Sequence, residues 1–374
     1  MKTAIFFDGY APFHETKDPG LIAVGLSRLG YVATLVTETK TELDGYEAQF
    51  PIITAKKRNF TDVDFWKQID ADVVICYTWL GRKYNSIVAA IRHSGKKVLL
   101  KADSDGRLGY PVIPRWQHQH LMATLPLRLR FKYLRLNGII AQIETANAVL
   151  IESPKAYENV QRFLHYWKRP SLISKLHVVP NPVTDDIIAS EISSKQNVLI
   201  SVGRWNDPVK NILILLRSAK HFLESNSDWS MLVVGEGEKI PKQIVSKWES
   251  ELRTRVKVLG EVPHPQMAKL LGESRIFFVP SKRESWGISA AEALCMGCSI
   301  VGTPLEPLDF LVGGGFSGTV AKGFAIEHLV RALAHDVSKH TQGTYNPFRI
   351  AGYWRPKLSI REVTSQICEL LTKL

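Results

Sequence analysis

The sequence predicts an α/β protein made of two doubly wound domains, each with a parallel sheet, that face each other across a cleft. Short apolar runs alternate with amphipathic helical patterns along the whole chain, an order typical of parallel sheets covered by helices. The runs are continuously apolar, as expected of strands buried on both faces. The 374 residues exceed one ordinary core and suit two domains.

The first half contains seven predicted strands. They are Thr3–Phe7, Val32–Val36, Pro51–Thr54, Val73–Tyr77, Val98–Leu100, Ala148–Ile151 and a last one within Lys175–Val183. The predicted helices between them are Leu21–Leu29, Asp62–Ile69, Lys83–His93 and a long one from about Gln117 to Ile143. Two prolines and the polar run Thr184–Gln196, which we interpret as a linker, then end a first domain at residues 1–184.

The second half restarts the same alternation in residues 185–347. Its predicted strands are Val198–Val202, Met231–Val234, Val256–Leu259, Ile276–Val279 and Ser299–Val301, and its clearest helices are Ile288–Met296 and Ile326–His335. The remaining tail, residues 348–374, is apolar and helical in pattern.

Composition and charge limit the classes of function that the protein can have. Apolar residues make up 45% and charged residues 22% of the chain, which indicates a globular protein. No apolar run reaches the ~18–20 residues of a membrane span, and the apolar patch at the start is too short for a signal peptide. We therefore expect a cytoplasmic protein.

The net charge of +12 is concentrated in the first half, where 25 basic residues face 16 acidic ones before Asp185. This surplus favours an anionic partner: membrane headgroups, a phosphorylated acceptor or nucleic acid. The stretch from Gly106 to Ile143 has no acidic residue. It suits either a basic amphipathic helix on the inner face of an anionic membrane or a helix packed on the sheet with its basic face in water. Because no nucleic-acid-binding signature accompanies the charge, nucleic acid is not expected.

Cys295 and Cys298 form a CxxC pair, which in other contexts binds metal or carries redox chemistry. Here the pair ends a helix inside an apolar segment, and no second pair exists in the sequence. We interpret both cysteines as small buried side chains and predict no metal site.

Two candidate loops follow strands of the first domain, where doubly wound sheets bind ligands. Gly20 opens a helix and would let a phosphate or sugar approach the backbone, or it is a plain turn residue. Asp103 and Asp105, followed by Arg107, could hold a metal, accept a proton or bind sugar hydroxyls, or they form a polar turn.

Two candidate loops also follow strands of the second domain. Gly203 and Arg204 precede Lys210-Asn211, which opens a helix, so two cations beside a helix N-terminus suggest a diphosphate site. The alternative is two solvated surface cations. Glu284 lies in a later loop and Glu292 two turns into the next helix, where a carboxylate among small apolar residues needs a partner.

These residues together resemble the retaining glycosyltransferases of family 4 with the GT-B fold, which has two Rossmann-like domains. The resemblance rests on Gly203-Arg204 with Lys210-Asn211, on Gly235-Glu236-Gly237, on Leu259-Gly260, and on Glu284-Ser285-Trp286-Gly287 with Glu292. It covers roughly Val198–Pro304, and more loosely the first half. It implies that the tail at residues 348–374 crosses back to the first domain, which would bind the acceptor.

The resemblance also implies residue roles. Arg204 and Lys210 would hold the donor diphosphate and stabilise the leaving nucleotide, and Glu284 would contact the sugar. Glu292 would bind the ribose. The remaining donor-side positions are Gly20, Gly203, Gly235, Gly260, Glu261, Ser285, Trp286, Gly287 and Ile288. Members of the family usually need no metal and retain the anomeric configuration.

The sequence departs from the family in its first domain. Many members have two glycines in the first loop, where this chain has Asp18-Pro19-Gly20, and a histidine where Asp103 and Asp105 stand. Acceptor handling near the anomeric carbon, for which Asp103 is the catalytic candidate, is therefore an open part of the prediction.

The predicted function is transfer of a sugar, with retention, from a UDP- or GDP-sugar to a lipid-linked, polysaccharide or other glycan acceptor, without a cofactor. One alternative is a nucleotide-sugar epimerase or phosphorylase on the same fold. Another is a non-catalytic basic binding protein, which would tolerate loss of Glu284 or Arg204.

Overall fold

The computed structural model describes residues 1–41, 47–77, 84–102, 104–106, 108 and 127–374. The chain divides into two compact units. Unit 1 comprises residues 1–182 and 360–374, and unit 2 comprises residues 183–359.

Unit 1 is built on a seven-stranded parallel sheet with the order β5-β3-β1-β6-β7-β8-β9. Its strands are β1 Lys2–Phe6, β3 Val32–Thr37, β5 Ile52–Thr54, β6 Val73–Cys76, β7 Lys97–Lys101, β8 Ala148–Ile151 and β9 Leu176–Val178, and a separate pair is β2 Gly9–Tyr10 with β4 Thr39–Lys40. The described helices are α1 Asp18–Arg28, α2 Val63–Gln68, α3 Asn85–His93, α4 Leu127–Thr145 and α5 Pro154–Tyr166. Strands β6 and β8 are buried along their whole length, as their continuous apolar runs predict.

Unit 2 is built on a six-stranded parallel sheet with the order β12-β11-β10-β13-β14-β15. Its strands are β10 Gln196–Val202, β11 Ser230–Val234, β12 Val256–Val258, β13 Ser274–Val279, β14 Ser299–Gly302 and β15 Gly318–Val320. Its helices are α6 Asp185–Ala189, α7 Ile212–Ser225, α8 Lys239–Val245, α9 Ser250–Thr254, α10 His264–Glu273, α11 Ile288–Cys295, α12 Glu306–Val312, α13 Ile326–Thr341 and α14 Pro347–Leu358.

The predicted strands are confirmed with boundaries shifted by one or two residues, and the doubly wound α/β class is confirmed in both units. The sequence did not predict β15, because Gly318-Thr319-Val320 is short and begins with glycine. The Cα of Gly318 lies so close to β14 that a Cβ would stand 2.1 Å from the Ile300 carbonyl oxygen, so only glycine fits there.

The segment predicted as a linker is partly helical. Asp185–Ala189 forms α6, and Ile187 is fully buried in the core of unit 2 together with Ile200, Phe277 and Leu294. The unit therefore begins at Val183, whose N–H donates to the Leu358 carbonyl oxygen at 2.9 Å. This short helix is stabilised by the packing of Ile187 on the core, because five residues are too few to form a stable helix by themselves.

The tail consists of two helices that belong to different units. Helix α14 packs on α11 inside unit 2, whereas α15 Ile360–Lys373 packs on α1 inside unit 1. Cys295 and Cys298, at the end of α11, are fully buried and free. Burial raises the pKa of both thiols, which confirms that they are inert core side chains. In the part of the chain that the structure describes, no helix combines the length and the apolar character that crossing a bilayer requires.

Candidate functional site

The sheet order of unit 2 reverses between β10 and β13. These strands are neighbours in the sheet, although β11 and β12 lie between them in the sequence. The strand that follows β10 is added on one side of this pair, and the strand that follows β13 is added on the other side. A doubly wound sheet opens a crevice at the carboxyl ends of the two strands where the order reverses. The loops that follow them contain Gly203–Asn211 and Ser281–Gly287, which hold most of the predicted donor-side residues.

Three glycines bring the loops at this edge close together. The N–H of Gly203 donates to the Val234 carbonyl oxygen at 3.1 Å, and the N–H of Gly235 donates to that of Gly260 at 3.0 Å. Gly235 has a φ of 121°, and a Cβ there would lie 2.2 Å from the Gly203 carbonyl oxygen. Glycine is therefore required at position 235, because the backbones of the two loops approach each other there. As a result, the edge of the sheet presents main-chain atoms rather than side chains at this point.

Lys210 and Glu284 meet across the crevice of unit 2. The Lys210 Nζ donates to Glu284 Oε1 at 2.7 Å, and the two side chains are 24% and 9% exposed. Two further contacts hold the same loops: Lys282 N–H donates to the Val209 carbonyl oxygen at 2.9 Å, and Asn211 Nδ2 donates to the Pro280 carbonyl oxygen at 3.1 Å. The two loops are thus fixed to each other by one ion pair and two hydrogen bonds.

Arg204 contrasts with Lys210. Its side chain is 67% exposed, and its guanidinium lies 3.8 Å from Asp207 Oδ2 within the same loop. An exposed pair at this distance restrains a side chain weakly. Arg204 is therefore free to reorient toward an anion at this edge, while Lys210 is held in place.

Helix α11 begins at the end of the Glu284 loop. Gly287 is its N-cap with a φ of 89° and a ψ of 58°, a left-handed conformation that favours glycine. The N–H groups of Ile288 and of the residues after it lie in the first turn of α11, where backbone N–H groups have no partner within the helix. Ser285 is half-buried, whereas the Trp286 side chain is 1% exposed and packs on Phe310 in the core. Trp286 can thus offer a ligand its backbone and not its ring.

Glu292 and Glu261 occupy opposite environments. Glu292 is 5% exposed within α11, as the pattern of small residues around it predicts. Glu261 is exposed in the loop after β12, next to Gly260. The structure thus places Arg204, Lys210, Glu284 and the three glycines at one edge of unit 2.

The first-domain candidates lie at the carboxyl ends of unit 1 strands. A Cβ on Gly20 would lie 2.4 Å from Glu15 Cα, so the start of α1 is packed tightly on the preceding turn. Asp105 is half-buried, and its carbonyl oxygen accepts a hydrogen bond from Asn159 Nδ2 at 2.9 Å. Asp103 and Arg107 lie outside the described residues, so their predicted acceptor-side roles stay predictions.

Sequence reasoning missed a buried ionic cluster in unit 1. Lys101 is fully buried at the end of β7, and its Nζ donates to Glu152 Oε1 at 2.8 Å and to Asn181 Oδ1 at 2.5 Å. Asp18 Oδ2 lies 3.5 Å from the same nitrogen. The cluster joins the start of α1 to the ends of β7 and β8 and, through Asn181, to the segment that follows β9. The available signal in the sequence was a charged residue directly after each of two apolar runs: Lys101 after Val98–Leu100, and Glu152 after Ala148–Ile151.

A second missed contact lies where the order of the unit 1 sheet reverses, between β1 and β6. The Tyr84 hydroxyl donates to Asp8 Oδ2 at 2.5 Å, which links the loop after β1 to the start of α3. Burial and the Asp8 carboxylate both raise the pKa of Tyr84. The hydroxyl therefore stays protonated and keeps its role as donor.

Within the described ranges, no three His, Cys, Asp or Glu side chains come together in a way that could hold an ion. The two loops at the edge of unit 2 contain basic side chains, among them Arg204 and Lys210.

Comparison with known proteins finds similarity to glycosyltransferases, most clearly in unit 2. Residues 183–340 match the family model described as glycosyl transferases group 1. The chain is 25% identical over 292 residues to D-inositol 3-phosphate glycosyltransferase 1 of Catenulispora acidiphila, a match that covers 73% of this chain and 66% of the relative. It is also 25% identical to phosphatidyl-myo-inositol mannosyltransferase of Mycobacterium leprae over 46% of this chain and 48% of that protein. The chain thus spans just under two thirds of the length of the first relative and about half of the length of the second.

Solved structures resemble the whole chain. WaaG, a glycosyltransferase involved in lipopolysaccharide biosynthesis, is 16% identical with a TM-score of 0.65, and 99% of each chain is covered. HepE of Anabaena, solved in complex with UDP, is 15% identical with a TM-score of 0.71, and all of both chains is covered. At such identities the likeness shows the fold alone, and it confirms the predicted GT-B class. The chain has the GT-B fold, and its residues 183–340 are similar to the family described as glycosyl transferases group 1.

Proposed function

We propose that the protein is a retaining glycosyltransferase that moves a sugar from a nucleoside diphosphate sugar to a glycan or lipid-linked acceptor. The observation that carries this proposal is the pair of Lys210 and Glu284 at the edge where the unit 2 sheet order reverses, with Arg204 exposed in the same loop. A cation fixed beside a carboxylate is suited to a ligand that is anionic at one end and rich in hydroxyls at the other.

The division of work between the two cations follows from their exposure. Lys210 is preorganised by Glu284, so it can meet the diphosphate without a reorganisation cost. Arg204 is exposed and can close on the outer phosphate with the planar fork of its guanidinium. As the glycosyl bond breaks, negative charge grows on the diphosphate, and both cations stabilise it.

The carboxylates and backbone would fix the rest of the donor. Glu284 would accept hydrogen bonds from sugar hydroxyls, and the first N–H groups of α11 would donate to sugar or phosphate oxygens. Glu292 would accept from the ribose, and the loop with Gly260 and Glu261 would border the base. The glycine edge formed by Gly203 and Gly235 would let the nucleotide approach the main chain.

UDP-sugars are the donors we favour. The Anabaena protein of the same fold was solved with UDP and with UDP-glucose, which supports a uridine nucleotide here. A thermal-shift series with UDP, GDP, ADP and TDP tests the donor site. A nucleotide at 100 times its dissociation constant should add about 2.7 kcal/mol to the free energy of unfolding.

The acceptor we favour is anionic. Two relatives carry names that specify an inositol phosphate or a phosphatidylinositol, and the net charge of +12 agrees with such an acceptor. A phosphorylated or lipid-linked acceptor at the inner face of a membrane fits both. Transfer assays with radiolabelled donor and a panel of neutral and phosphorylated acceptors distinguish this from a neutral glycan.

Variants of the ion pair test whether the edge of unit 2 is the donor site. We expect Glu284→Gln and Lys210→Ala to lower transfer by ~10²–10³-fold, the usual cost of losing one preorganised electrostatic group. Lys220→Ala is the matched control, since Lys220 pairs with Glu224 at 3.6 Å in the same unit, away from this edge. Equal activity of Glu284→Gln and wild type would contradict the proposal. The anomeric configuration of the product, read by NMR, tests retention.

A further inference from the structure

A basic and aromatic surface lies on unit 2, formed by α14, the last turn of α13 and the glycine turn before β15. We call it the α14 surface, and it comprises Phe316, Lys339, Phe348, Arg349, Tyr353 and Lys357. From Val337 to Arg361 the sequence has five basic residues and no acidic one. This segment contributes nothing to the donor edge described above.

The outward side of α14 is aromatic as well as basic. Ile350, Ala351 and Trp354 face the core, whereas Phe348 is 66% exposed and Tyr353 46% exposed. Phe316 is 37% exposed, and its ring centroid lies 5.3 Å from that of Tyr353. A single exposed ring is ordinary, but several exposed rings grouped on one surface indicate an interaction site.

The cations are placed against these rings. Lys357 Nζ lies 3.3 Å from the centroid of Tyr353, and the Arg349 guanidinium carbon lies 5.9 Å from that of Phe316. Lys339 Nζ donates to the Gly315 carbonyl oxygen at 3.5 Å. Rings and positive charges therefore share one surface, with the apolar stems of the cations alongside the rings.

A small depression adds a polar recess to the surface. It is lined by Gly315, Phe316, Thr344, Asn346, Arg349 and Ile350. Arg349 supplies a guanidinium there, the Thr344 hydroxyl a second donor. An anionic headgroup oxygen would find both donors beside an exposed aromatic ring.

We propose that the α14 surface binds an anionic lipid bilayer. Aromatic rings prefer the headgroup level of a bilayer, and basic residues are attracted to anionic lipids. A protein partner fits less well, because lysines are depleted at protein interfaces, whereas Lys339 and Lys357 belong to this surface. This proposal does not rest on the transferase activity, since binding to vesicles needs neither donor nor acceptor.

Sedimentation with vesicles tests the proposal, with equal parts phosphatidylcholine and phosphatidylglycerol compared with phosphatidylcholine alone. Wild type should bind the anionic vesicles more tightly, and Arg349→Glu with Lys357→Glu should lower that binding at least about tenfold, since each basic residue near the surface contributes roughly fivefold. Arg253→Glu with Lys257→Glu is the matched control, because both side chains are exposed elsewhere on unit 2 and the charge change is the same. The control should bind like wild type.

The aromatic contribution is tested separately with Phe348→Ser. This side chain is too exposed to stabilise the core, so the melting temperature should not change while binding falls severalfold. Equal binding of wild type to both vesicle types would overturn the proposal. Unchanged vesicle binding of the variant with Arg349→Glu and Lys357→Glu would also overturn it. This includes the outcome in which binding is lost instead with Arg128→Glu and Arg130→Glu, two residues of the basic stretch in the first half of the chain.

Discussion

Lys101 shows how a single residue can bind together parts of the chain that are far apart in sequence. Its ammonium group has no exposure, and Glu152 and Asn181 satisfy it from the ends of neighbouring strands. A buried charge is tolerated only when it is paired and hydrogen-bonded. The sequence alone marks Lys101 as polar and therefore as a surface residue, because its partners lie 51 and 80 positions away.

Replacing Lys101 with methionine should lower the free energy of unfolding by ~3–5 kcal/mol, because the buried Glu152 carboxylate would lose the ammonium group that lies 2.8 Å away. Denaturant titration measures the change. Lys155→Met is the control: Lys155 and Glu158 form a pair of the same 2.8 Å length on the surface, and its loss should cost less than about 1 kcal/mol. Equal effects of the two substitutions would show that burial does not decide the strength of the Lys101 pair.

His340 lies in a buried polar network behind the unit 2 sheet. Its Nε2 lies 2.8 Å from the Ser299 hydroxyl, which donates to Asp336 Oδ2 at 2.5 Å. Burial lowers the pKa of His340 to about 3 and raises that of Asp336 to about 6. His340 is therefore neutral in the folded protein across the range in which a free histidine becomes charged.

This histidine should make the protein less stable in acid. Between the unfolded pKa of 6.5 and the folded value of about 3, the unfolded chain binds the proton and the folded chain does not. The free energy of unfolding then falls by at most about 1.4 kcal/mol per pH unit as the pH drops through this window. Asp336 acts in the opposite direction between pH 3.8 and about 6, so a comparison of variants is needed.

His340→Gln removes the histidine contribution and leaves Asp336 in place. The melting temperature of the variant relative to wild type should rise steadily as the pH is lowered from 7 to ~4. Melting curves at a series of pH values measure it. A difference that stays constant with pH would show that His340 is not held neutral by the fold.

At the scale of elements, close packing of two helices within unit 1 depends on a glycine. Gly25 on α1 faces α15, and a Cβ there would lie 2.4 Å from Thr364 Cγ2 and 2.6 Å from Ile360 Cγ2. The last helix can approach α1 only because this position has no side chain. The sequence predicts the helical character of the tail, but not that the tail divides at Ser359 between two units.

Gly25→Ala should destabilise unit 1, although alanine is about 1 kcal/mol better than glycine in a helix interior. The added methyl would push α15 away from α1, and limited proteolysis should then release the tail more readily. Gly352→Ala on α14 is the matched control, because nothing lies within 4 Å of its Cβ position. The control should raise the melting temperature. A stabilising effect of Gly25→Ala would contradict the close contact.

At the scale of the whole molecule, the chain combines two units with separate sheets and separate cores. Apart from Gly20, the residues predicted to hold the donor belong to unit 2, whereas the largest surplus of basic residues lies in the first half of the sequence. The proposed function thus assigns recognition of the nucleotide to one unit and recognition of an anionic acceptor to the other.

Hydrogen exchange tests this assignment in the intact protein. Added UDP should slow exchange in peptides that cover residues 203–211 and 284–292, because the loops at the edge of unit 2 would be held by ligand. Peptides from the last two turns of α13 serve as an internal control, because His340 there lies beside Ser299, at the end of β14 that is opposite to this edge. Protection that is absent from the two loops would contradict the predicted donor site, even if UDP raised the melting temperature.

The sequence by itself determined the class of the fold and most strand positions, and it predicts which residues hold the donor. Apolar periodicity and glycines after strands are local signals, and so is the spacing that places Glu284 in the loop before α11 and Glu292 inside that helix. The tertiary structure decided which loops meet. The pair of Lys210 and Glu284 joins residues 74 positions apart, because the order of the sheet places β10 beside β13. Burial of Lys101 and the division of the tail also depend on contacts distant in sequence, which a local pattern does not encode.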